Sequence, residues 1–192
     1  MKLLIVQLSD MHCHSSDRSL TEKLNKAVNA IKTLGKMDGA VLVFSGDLCD
    51  TADPNEFKTG RHLLGMFLRQ LSEALGCGFI HTKIVPGNHD MVLPEGSRGA
   101  EEIKEWDKDE HLHEELCRLK SFLEYSASKQ CFVKDKICDV NTITVGGVKV
   151  QFCLLNSAPY STRDPVDKQF HYVPPYVGEK LTRDPEAELK IT

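Results

Sequence analysis

The sequence predicts an α/β fold built on a parallel sheet, and three observations predict it. Short apolar runs at Leu3–Leu8, Ala40–Phe44 and Phe79–Val85 alternate with two stretches of helical periodicity. That order gives parallel strands joined by right-handed crossovers. Each run gives way at its end to a polar motif: Ser9-Asp10, Ser45-Gly46-Asp47 and Pro86-Gly87-Asn88. The chain has 192 residues, 41% of them apolar, which suits one domain spanning residues 1–192 with a real core.

The first helix is expected after Ser19-x-x-Glu22, a capping-box pattern. Leu20, Leu24, Ala27, Ile31 and Leu34 then share one face, and Gly35 is a C-terminal stop. The second opens at Asp53-Pro54-Asn55-Glu56, with Asp as N-cap, Pro at the first helical position and Glu at the third. Leu64, Phe67, Leu68, Leu71 and Leu75 keep its period until Gly76. In the second half, residues 101–126 read as a charged helix with Ile103, Trp106, Leu116, Leu119, Phe122 and Leu123 inward. Thr142–Val145 and Val148–Leu155 read as a hairpin across Gly146-Gly147. Residues 158–188 show little regular pattern, and a further strand starts at Leu189.

Composition excludes several classes. The net charge of −4 gives no overall field toward nucleic acid or anionic lipid, and no basic stripe stands out in the linear sequence. No segment is long and apolar enough to span a membrane, and the apolar start ends too soon for a signal peptide. The seven cysteines form no C-x-x-C pair and read as reduced thiols of a cytoplasmic protein.

The chemistry gathers at the strand ends. In open parallel sheets, ligands collect beyond the carboxyl ends of the strands. Asp10 and His12 are two apart in a segment read as extended, so both side chains point one way and can reach one ion. Asp47 brings a carboxylate from the neighbouring strand, with two oxygens that can bridge two ions, and Asn88 adds a carbonyl oxygen. This mix of oxygen and imidazole donors suits Mn, Fe or Zn. His89 is a candidate acid or transition-state stabiliser, and Asp90 a candidate to orient its imidazole. Gly46 and Gly87 would allow sharp turns. Taken singly, each motif also fits a plain cap or turn. His14 continues the alternation of Asp10 and His12. His62 reads as packing or surface and His81 as a hydrogen-bonded core residue. His111 and His113 are split across a helix, and His171 lies in a Pro-rich loop.

Ser9-Asp10-Met11-His12, Ser45-Gly46-Asp47-Leu48-Cys49-Asp50 and Val85-Pro86-Gly87-Asn88-His89-Asp90 together resemble the first three motifs of the calcineurin-like metallophosphoesterases. The resemblance implies a four-layer α/β/β/α sandwich, with Leu154–Ala158 at the start of its second sheet. It implies two divalent ions, manganese first among the candidates. Asp10, His12 and Asp47 would hold one, and Asp47 with Asn88 the other. It implies His89 as the catalytic acid and a supporting role for Asp50, with a phosphate mono- or diester hydrolysed by a hydroxide held between the metals.

The sequence also departs from the family. A lone later His and a Gly-His-x-His motif are expected, and neither is present. The chain therefore reads as cut short before its fourth motif, with a sandwich and a metal site both incomplete, and weak or inactive alone. Thr51-Ala52 and Asp90 stand where the protein phosphatase branch carries Arg-Gly and Glu. The DNA exonuclease branch shares the motif forms but is disfavoured by charge. The alternative from another class is a non-catalytic binding module whose exposed sheet edge favours pairing between copies.

Overall fold

The three apolar runs form a parallel sheet in the order β1 (Leu3–Leu8), β2 (Gly39–Ser45), β3 (Ile80–Val85). The computed structural model describes residues 1–14, 18–93, 122, 137–162, 173, 177–178, 181–182 and 184–192. Leu8 pairs with Phe44, and Phe44 with Ile84. The three strands therefore end at one level, and the polar motifs leave the sheet side by side. Phe79 lies outside β3 and is 69% exposed.

Helices α1 (Arg18–Lys32) and α2 (Pro54–Leu75) connect these strands. Two right-handed crossovers moving in one direction put both helices on one face, where they pack on each other. Helix α1 buries Leu20, Leu24 and Val28. It starts before Ser19, so Ser19 sits in the first turn and not at the cap. Helix α2 has the expected ends. Asp53 accepts a hydrogen bond from the Asn55 N–H at 2.7 Å, and Gly76 closes the helix at φ 66°. Gly60 brings α2 close to the second polar motif, since a Cβ there would lie 2.8 Å from Leu48 Cγ.

The other face of the sheet is covered by a second sheet. Strands β4 (Cys138–Val145) and β5 (Val148–Leu155) form the expected hairpin, and β6 (Leu189–Ile191) adds in parallel to β5. Gly146 and Gly147 take φ of 57° and 87°, as a tight hairpin turn requires. That turn meets β2 closely, because a Cβ on Gly39 would lie 2.6 Å from the Gly146 nitrogen. Between the sheets, Lys83 donates to Asn141 Oδ1 and sits 5.4 Å from the centre of the Phe152 ring. Leu42, Phe44 and Ile84 share one apolar core with Val150 and Phe152. Each such buried side chain contributes about 1.5–3 kcal/mol. The stack is thus helices, parallel sheet, second sheet; the fourth layer lies outside the described residues. So does the expected helix at 101–126 except for Phe122, which is helical, fully buried and edge-on to Phe57 at 6.4 Å. No helix of the described residues is long and apolar enough to cross a membrane.

Candidate metal centre

The three motifs are laced together by their main chains. Beyond β1, Asp10 N–H donates to Gly46 O at 3.0 Å, His12 N–H to Asp47 O at 3.0 Å and Cys13 N–H to Leu48 O at 2.9 Å. The segment after β1 therefore runs beside the one after β2. The third motif joins through side chains. Asp47 Oδ1 accepts from His89 N–H at 3.0 Å, and Asp90 reaches back across the second motif.

Asp10, His12 and Asp47 converge, with ligand atoms within 4.8 Å of one another. They do so by a different route from the extended alternation expected. Asp10, His12 and Asp47 all lie at positive φ, 54°, 43° and 58°. Each left-handed residue costs of order 1–3 kcal/mol and is held only by surrounding structure. Here the interstrand hydrogen bonds supply the hold, and local turns replace strand alternation in aiming the side chains. Two carboxylates thus crowd one imidazole, with no Lys or Arg ion-paired to them among the described residues. That donor set fits a divalent cation.

The two glycines serve in different ways. Gly46 turns at φ 108° and also touches the third motif, since its Cβ would lie 2.8 Å from Gly87 Cα. Gly87 has ordinary φ of −102°. It is needed for closeness, because any Cβ there would fall on Asp47 Oδ1. Asn88 opens a 3-10 turn, Asn88–Asp90, and is half-buried directly before the residue bonded to Asp47.

His89 and His12 are neighbours, with ring centres 4.6 Å apart and planes at 85°. His89 Nδ1 lies 2.7 Å from the Asp50 carbonyl oxygen. A carbonyl only accepts, so Nδ1 carries the proton and Nε2 is the ring nitrogen left for other work. The Asp50 carboxylate stands 3.2 Å from His12 Nδ1. That contact is off the line of a hydrogen bond, and the buried nitrogen makes none.

Asp90 does not hold the His89 ring, contrary to expectation. Its carboxylate is fully buried and accepts from Cys49 N–H at 2.9 Å and Gly87 N–H at 3.0 Å. Burial pushes its carboxyl up to about 6, opposed by hydrogen bonds from Gly87, Cys49 and Leu48. Asp90 is therefore a tie between the second and third motifs, and the Asp50 carbonyl takes the orienting role.

A family model for calcineurin-like phosphoesterases matches residues 3–190. The chain belongs to that family. No curated protein matches it closely enough to report. The family works on phosphoesters with two metal ions, and the convergence of Asp10, His12 and Asp47 beyond the strand ends supplies donors suited to that chemistry. One residue of the centre escaped the sequence reading. Glu56, taken there only as an N-terminal helix residue, is buried and accepts from the main chain of Asp50 and Thr51. A signal existed, since Glu56 falls on the apolar face of α2 that carries Gly60, Leu63 and Leu64.

The other histidines sort simply. His14 is exposed with Nδ1 3.8 Å from Glu56 Oε1. His62 lies on the exposed surface of α2. His81 is half-buried, edge-on to the exposed Phe79 at 4.9 Å, with its pKa lowered by burial and by Lys83. It is not the core residue expected. His111, His113 and His171 lie outside the described residues. Cys13, Cys49, Cys77, Cys138 and Cys153 are buried free thiols. Burial and the charge of Asp90 push the Cys49 thiol far up, which marks it as packing and not as a nucleophile.

Proposed function

We propose that this chain hydrolyses a phosphate mono- or diester with two divalent ions, manganese first among them. The observation that carries the proposal is the convergence of Asp10, His12 and Asp47 within 4.8 Å of one another. These three would hold one ion, and Asp47 with Asn88 the other. When bound, such ions stabilise developing phosphoryl charge and lower the pKa of water. The chain's own part is to orient and to move a proton. The Asp50 carbonyl fixes the Nδ1–H form of His89, so a protonated ring offers its Nε2 proton to the leaving oxygen. These 192 residues contain no Gly-His-x-His and a single histidine, His171, after Leu155. We therefore expect loose metal binding and slow turnover. Hydrolysis of para-nitrophenyl phosphate and its bis-ester with added manganese checks this. Slow release of nitrophenol, abolished by EDTA, is expected; turnover indifferent to chelation would sink the proposal.

One observation favours a nucleic-acid diester within that class. The outer face of α2 exposes Lys58, Arg61, His62 and Arg69 along one groove that also includes Asn55. None of Lys58, Arg61 and Arg69 is ion-paired among the described residues. Net charge conceals this basic face, which spans about 16 Å at 1.5 Å per residue. Single-stranded DNA should bind in low salt and be released as salt rises, with retention lost on charge reversal at Arg61 and Arg69. Equal retention by the reversed variant removes the nucleic-acid reading and leaves small phosphoesters.

A further inference from the structure

We propose that Glu56 is a positioning residue that sets the orientation of the His89 imidazole without touching it. The proposal rests on the phosphoesterase reading for its catalytic meaning, but its structural content stands apart from it. Glu56 lies in the first turn of α2 and is 8% exposed. One oxygen, Oε2, accepts from Asp50 N–H at 3.2 Å, Thr51 N–H at 2.9 Å and the Thr51 hydroxyl at 3.1 Å. The other, Oε1, faces His14 Nδ1 at 3.8 Å. A carboxylate taking several N–H donors makes stronger bonds than a neutral acceptor.

What Glu56 grips is the part of the chain that holds the His89 imidazole. The Asp50 carbonyl takes the Nδ1–H of His89 at 2.7 Å, and the Asp50 carboxylate stands 3.2 Å from His12 Nδ1. The next residue but one, Ala52, is buried at φ 57°. A non-glycine residue there strains the turn and favours its relaxation unless something holds it. Glu56 provides three hydrogen bonds at the residues just before that strain. Release of Glu56 should let the 50–52 turn relax and carry the Asp50 carbonyl away from His89. A glutamate serving only its helix would reach back to the N-cap N–H; this one is spent on Asp50 and Thr51.

The test reads the His89 imidazole directly, by its nitrogen shifts in metal-free protein labelled with 15N-histidine at alkaline pH. The spectrum of the native chain should show His89 in the Nδ1–H form. In Glu56→Ala, the His89 nitrogen shifts should move toward the Nε2–H form. Glu56→Gln retains an acceptor oxygen and should fall between the two. Should the alanine variant fail to fold, the glutamine variant decides alone by the same displacement. Unchanged His89 nitrogens in a variant that melts at a lower temperature would overturn the proposal and leave Glu56 a structural residue. Turnover separates the two levels. Displaced nitrogens with a fallen kcat and a steady KM support positioning for catalysis. Displaced nitrogens in a chain that shows no metal-dependent turnover would fail the hydrolase reading while the positioning stands.

Discussion

Asp47→Asn is expected to abolish metal-dependent hydrolysis, by roughly a thousandfold or to background, while leaving the fold intact. The magnitude follows from what the carboxylate does. It is the ligand proposed for both ions, and loss of metal-centred charge stabilisation removes one of the largest contributions to phosphoryl transfer. The fold should survive because asparagine keeps an oxygen for the His89 N–H, which Asp47 Oδ1 now accepts at 3.0 Å. Without metal, the variant should melt at or slightly above the native temperature, since it removes one of the two carboxylates that Asp10 and Asp47 bring to within 4.8 Å. With manganese the order should reverse. A ligand that binds only the folded state stabilises it by about 2.7 kcal/mol at a hundred times its dissociation constant, and the variant should lose that gain. Melting curves with and without manganese, run beside turnover, read all three effects. A variant that still gains stability from manganese and still hydrolyses ester would remove Asp47 from the centre.

Much of this centre was legible before any coordinates, because strand-end motifs in parallel sheets have one place to go. Apolar runs of five to seven residues marked strands whose register lets the three motifs leave one end of the sheet. The turn chemistry of Asp53, Pro54, Gly76 and Gly146-Gly147 was equally plain, since those residue types act through their own backbone limits. What failed were readings that depended on side-chain direction. Alternation assigned Asp10 and His12 to one side correctly, but for the wrong reason, because both are left-handed. Adjacency suggested that Asp90 supports His89, yet a 3-10 turn sends neighbouring side chains apart and buries Asp90. The support comes instead from a carbonyl, which every residue carries and no sequence pattern marks. The basic face of α2 was missed because overall charge averages over the chain, whereas binding depends on which charges share a surface.

Asp90→Ala is expected to destabilise the metal-free protein by about 2–4 kcal/mol, at or above the usual cost of a point substitution. The carboxylate is the acceptor for N–H groups of Cys49 at 2.9 Å and Gly87 at 3.0 Å. It sits at 0% exposure, so water cannot replace it without opening the core. Each buried N–H left without a partner costs about 1–3 kcal/mol. Part of that loss is returned, because the native carboxylate is itself penalised by burial, as its raised pKa of about 6 shows. For a chain of this length the remainder lowers the melting temperature by roughly 10 °C. Asp90→Asn should recover only part, because its amide keeps one acceptor but turns an N–H donor toward another donor. The outcome also separates two roles. A residue that merely oriented His89 would lower turnover and leave the melting temperature unchanged. A tie between the second and third motifs must lower the melting temperature even when no metal is present, and must loosen manganese binding with it, since Asp47 and Asn88 stand on the two segments that Asp90 joins. A native melting temperature in metal-free Asp90→Ala would refute the tie.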